Sequence, residues 1–71
     1  MRYEEMNKDH VEMIERNLMT EYKESEVNRM LSTADFSTIE NGYKVKYANG
    51  FEDKFFFVTA LVHESEVNLY A

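Results

Sequence analysis

The chain has no cysteine and no proline, and only two glycines and two histidines among 71 residues. Without cysteine there is neither a disulfide nor a thiolate zinc site. Both glycines follow an asparagine, in Asn41-Gly42 and Asn49-Gly50, and read as turn residues, so no phosphate-cradling loop is available. There is no Gly-x-Ser-x-Gly elbow and no Asp-x-Asp-x-Asp-Gly calcium loop. The histidines, His10 and His63, belong to no zinc or iron spacing, so no metal and no cofactor is expected. Long apolar runs are also missing. The longest is Phe55-Phe56-Phe57-Val58, resumed after Thr59 as Ala60-Leu61-Val62, far below the roughly 20 residues of a membrane-spanning helix. The first residues, Met1-Arg2-Tyr3-Glu4-Glu5, lack the apolar core of a secretory signal. These absences predict a soluble, cytoplasmic protein that is not an enzyme.

Positive charge is scarce as well. Eight basic residues face fourteen acidic ones, for a formal charge of −6. That balance repels nucleic acid and anionic membranes and favours basic partners. What is plentiful is core material: hydrophobic residues make up 44%, with five each of Met, Phe and Tyr, which argues for a folded domain. One domain spanning residues 1–71 is the most this length allows. A chain so short buries only about 60% of its unfolded surface. With disulfides and metals set aside, self-association is the remaining way to add core, and a homodimer is expected.

The first half predicts helix over residues 7–33. Asn7 is a plausible N-cap, because its short side chain can accept from the free amides of a first turn. After it Val11, Ile14, Leu18 and Tyr22 recur at helical spacing. Val27, Met30 and Leu31 then fall on the opposite side of the same straight helix, so one helix cannot bury both stripes in one core. Either the chain breaks near Lys23 to Ser25, with Ser25 capping a second helix, or one long helix faces different neighbours at its two ends.

The second half, residues 36–70, predicts an antiparallel β-meander, since Asn-Gly supplies the positive φ that tight hairpins need. The fold class is therefore α+β: one or two N-terminal helices on three or four strands. A two-residue turn at Asn41-Gly42 sets Phe36, Tyr43, Val45 and Tyr47 on one face. A single strand from Lys54 to Val62 would add Phe56, Val58 and Val62 to it, and Val67 and Leu69 would extend it. Ile39, Phe55, Phe57, Leu61 and Tyr70 then point the other way, beside Lys44 and Lys46. A solvated face should be mostly polar. This apolar set is the predicted dimer interface.

On the first helix Glu5, Asp9 and Glu12 lie opposite the buried stripe. Residues four apart rise about 6 Å along a helix, of the order of the separation of neighbouring phosphates on a nucleic-acid strand. Glu52 and Asp53 add acids at a predicted loop. In length, in the acids Glu4, Glu5, Asp9, Glu12 and Glu15, in its hairpin signals and in its lack of Cys and Pro, the chain resembles the small acidic bacteriophage proteins that disable host machinery, some of which mimic DNA. That resemblance implies an inhibitor, in the host cytoplasm, that competes with nucleic acid for a basic host protein such as a histone-like nucleoid protein. Glu5, Asp9, Glu12, Glu52 and Asp53 are the expected contacts. The alternative function is a small homodimeric adaptor or structural module that binds a partner chain through the apolar sheet face.

Overall fold

The computed structural model describes residues 1–70, with only the backbone of Tyr70. Two helices precede a four-stranded antiparallel sheet, an α+β fold. A short 3-10 turn, Tyr3–Glu5, leads into α1, Lys8–Leu18; α2 follows at Glu24–Ser32. The strands are β1 (Asp35–Ile39), β2 (Gly42–Lys46), β3 (Glu52–Phe57) and β4 (Leu61–His63), in the order β1-β2-β3-β4, and a 3-10 helix, Glu64–Tyr70, closes the chain. Among the described residues no helix is long and apolar enough to cross a membrane.

The helical half follows its pattern. Asn7 caps α1, its side chain accepting from the amide of Asp9 at 2.8 Å. The phase change does break the helix, and Ile14 and Leu18 of α1 reach the same core as Val27 and Leu31 of α2. The second cap is Lys23 rather than Ser25, with no side-chain hydrogen bond, so Ser25 lies inside the first turn. Tyr22, expected in the buried stripe, is exposed, because α1 ends at Leu18 before the stripe completes.

In the first hairpin Phe36 pairs with Val45 and Thr38 with Tyr43. The turn residues are Glu40 and Asn41, not Asn41 and Gly42, and the positive φ, 62°, belongs to Asn41. A shift of two residues preserves faces, so Phe36, Val45 and Tyr47 are buried as expected. Gly42 is required for another reason. A Cβ there would lie 1.9 Å from the carbonyl oxygen of Phe55 on the neighbouring strand.

The third strand inverts the expectation. Tyr43 pairs with Phe55, Val45 with Asp53 and Gly42 with Phe56. Phe55 and Phe57 therefore share the inner face with Val45, and Phe56 faces out. The predicted single strand from Lys54 to Val62 is a hairpin turning at Val58–Ala60, which pairs Phe57 with Leu61 and Phe55 with His63. Phe55 and Leu61 are 0% and 1% exposed in the core, and Phe57 packs against it. The dimer face assigned to Ile39, Phe55, Phe57, Leu61 and Tyr70 is thus corrected. Three of its members point inward, where the helices cover them. Ile39 stays on the outer face, opposite Gly42, and the side chain of Tyr70 lies outside the described residues. Val67 and Leu69 belong to the 3-10 helix, which packs against β3 and β4, and Leu69 is exposed.

Side-chain amides hold the sheet ends. Asn17 of α1 donates to Leu61 O at 3.0 Å and accepts from His63 N–H at 3.1 Å, docking α1 on β4. Asn41 donates to Phe57 O and its carbonyl accepts from Phe57 N–H, tying the first turn to β3. At the start of α1, His10 Nδ1 lies 2.8 Å from the Tyr43 hydroxyl and its ring meets Phe57 edge-on, so this histidine has a structural role.

Candidate binding groove

The register that moved Asp53 inward also builds a broad concavity beside the β2–β3 connection. The five-residue connection from β2 to β3 is a tight loop. Tyr47 N–H donates to Phe51 O, Gly50 N–H to Tyr47 O and Phe51 N–H to the Asn49 side chain. Gly50 sits at φ 94°, which its lack of a Cβ permits. The loop presents Phe51, 74% exposed, opposite Tyr22, 40% exposed, which stands between α1 and α2. Between them lies an open groove of about 660 Å³, walled by Tyr22, Met30, Tyr47 and Phe51, with Arg29, Glu52 and Asp53 also among its lining residues. That volume is within the usual range of ligand sites, and the composition of mostly apolar walls with a few polar groups is typical of them.

Behind the groove runs a chain of hydrogen bonds. The Tyr47 hydroxyl donates to Asp53 Oδ2 at 2.7 Å, and His63 Nε2 lies 2.8 Å from Asp53 Oδ1. The backbone N–H of Ser65 donates to His63 Nδ1 at 3.1 Å, so Nδ1 carries no proton and the neutral ring donates from Nε2 to Asp53. The Ser65 hydroxyl, 2.7 Å away, then donates to Nδ1 as well. This polarity is that of a serine hydrolase relay. Two side-chain donors that line the same hollow as Ser65 are already engaged: Asn17 Nδ2 on Met13 O and Leu61 O, and the Thr20 hydroxyl on Asn17 O. The chain acts as a brace that fastens β4 and the 3-10 helix to β3 and holds Tyr47 in the groove wall.

Asp53, His63 and Glu64 place ligand atoms within 4.8 Å of one another, a spacing that can hold a cation. The same tautomer argument weighs against it. A metal on Nε2 would displace its proton, while the Ser65 amide keeps Nδ1 from taking it up. Glu64 is also engaged, accepting from Lys54 N–H at 3.0 Å.

Burial, first, and then the bond to Asp53 push the Tyr47 phenol well above its ordinary value. The unfolded chain releases this proton near pH 10 while the folded chain keeps it, so the stability it contributes is complete below about pH 10 and is lost as pH rises further. Chemical denaturation between roughly pH 8 and 11 should show the wild type losing stability faster than Tyr47→Phe. Parallel curves would contradict this role for the phenol.

The five predicted contact acids do not form one surface. Glu5 belongs to the 3-10 turn, where it accepts from Arg2 N–H, so it does not continue the row on α1. Asp9 and Glu12 are exposed on α1, about 4.5 Å apart along the axis. Glu52 pairs across the sheet with Lys46, on the outer face opposite the helices, and lies 3.8 Å from Lys44 Nζ. Asp53 is half-buried and already holds two partners. Sequence reading missed Tyr22, Tyr47 and Phe51 as walls of one groove. No protein-family model, curated protein or solved structure matches the chain.

Proposed function

We propose that this is a non-enzymatic acidic protein that binds a basic nucleic-acid-binding protein, such as a histone-like nucleoid protein, and competes with nucleic acid for it. One observation carries the reading. Among the described residues the ion pairs are the Met1 ammonium with Asp35 and Lys44 with Glu52, Asp53 accepts from His63, and every carboxylate between Glu4 and Glu26 is outside these contacts. Glu4 and Lys8, and Glu12 and Arg16, each four residues apart in the sequence, form no ion pair among the described residues. The helical layer thus presents uncompensated acids on a rigid support, which attracts a basic surface over distance. The resemblance to phage DNA mimics agrees with this in composition, and the contact set is now Glu5, Asp9 and Glu12, with Glu52 and Asp53 set aside. The adaptor alternative loses most of its surface, because Phe55, Phe57 and Leu61 are covered within the chain.

Competition is the test. A histone-like nucleoid protein bound to labelled duplex DNA should release the DNA when the wild-type chain is added. Glu5→Lys, Asp9→Lys and Glu12→Lys together cancel the formal charge of −6 and should abolish release, with the circular dichroism spectrum unchanged. Equal release by the triple variant would refute the proposed contact surface.

A further inference from the structure

We infer that the groove between α2 and the Tyr47–Phe51 loop is a cation site, which receives the ammonium or guanidinium end of a lysine or arginine side chain from the basic partner. The identity of that partner rests on the function proposed above; the cation site itself rests on the groove.

The walls argue for it first. Tyr22, Tyr47 and Phe51 bring three aromatic rings to one opening. Aromatic faces carry negative electrostatic potential and attract cations, most strongly where water is partly excluded. Phe51 is held out to solvent at 74% exposure by a loop with three internal hydrogen bonds, so its position does not come from burial in the core. Tyr47 donates its hydroxyl proton to a carboxylate, which shifts electron density toward the ring and deepens its attraction for a cation. Among the described lining residues Arg29 is the cation and Asp53, bonded to Tyr47 and His63, is the carboxylate behind the rings, in a protein that is negative overall; the Glu52 carboxylate is taken up by Lys44 on the outer face. A lysine or arginine stem would lie along Met30 while its charged end met the aromatic rings.

Tetramethylammonium is the probe, titrated at constant ionic strength and followed by two-dimensional NMR. It should move the signals of Tyr22, Met30, Tyr47 and Phe51 saturably, and tert-butanol, a neutral molecule of similar shape, should not. Phe51→Ala, which removes an exposed ring without touching the core, should weaken tetramethylammonium binding about two- to fivefold, as should Tyr22→Ala. The triple lysine variant on the helical layer should bind the probe as the wild type does. Equal shifts from tert-butanol would make the groove merely apolar. Shifts from acetate at the same residues would make it an anion site centred on Arg29. Either result, or no saturable shift, overturns the inference. Because the readout needs no protein partner, it can fail while DNA competition succeeds, and the reverse. Phe51→Ala should also weaken competition for the nucleoid protein; a groove that binds the probe without that effect would contradict the assignment of its occupant.

Discussion

Phe55→Ala is expected to unfold the protein at room temperature, while Phe56→Ala leaves it folded. Phe55 is fully buried at the centre of the sheet, in one core cluster with side chains from both helices and beside the ring of His63. Removing such a ring costs about 3–5 kcal/mol, through lost transfer energy and the cavity left behind. A domain of this length has a total stability of roughly 4–10 kcal/mol, so the loss is comparable to the whole. Phe56 faces outward opposite Gly42 and is half-buried, and its loss should cost about 1 kcal/mol, the ordinary size of a point-mutant effect. Urea denaturation followed by circular dichroism separates the two. The opposite ranking would mean that β3 pairs in the inverted register.

Gly42→Ala should be as severe. The added methyl would lie 1.9 Å from Phe55 O, 2.9 Å from Phe55 C and 3.0 Å from Phe56 Cα. All three are backbone atoms of a strand paired on both sides, so no side-chain rotation relieves the clash. A cost of at least about 3 kcal/mol, the upper end for overpacking, follows from separating β2 and β3. Gly50→Ala is the control. Nothing lies within 4 Å of a Cβ at that position, and only its φ of 94° resists substitution, for roughly 1 kcal/mol. If both variants melted alike, conformational strain and not strand approach would explain Gly42.

The helices were legible because their signals are local. Asn7 precedes an apolar stripe, and the slip in phase between Tyr22 and Val27 is incompatible with one straight helix. The first hairpin survived an error in its turn, since a slip of two residues keeps parity. The second did not. Asn49-Gly50 marks a reversal without fixing how many residues it takes, and Phe55-Phe56-Phe57 has no alternation from which to read a face. The turn at Val58-Thr59-Ala60 contains none of the usual turn residues, and Val67 and Leu69 imitate a strand by their spacing while lying in a 3-10 helix. The groove and the Tyr47–Asp53–His63–Ser65 chain depend on that same register. Asp53 and His63 meet only because Phe55 pairs with His63, which no spacing in the sequence announces.

Salt dependence of binding tests most directly the claim that uncompensated helical carboxylates engage a basic partner. Affinity for the nucleoid protein, measured by calorimetry from about 0.05 to about 0.3 M salt, should fall on the order of tenfold or more, because screening shortens the reach of exposed charges. An affinity that stayed constant across that range would mean that the acids serve solubility alone and that the partner, if there is one, is held by something else.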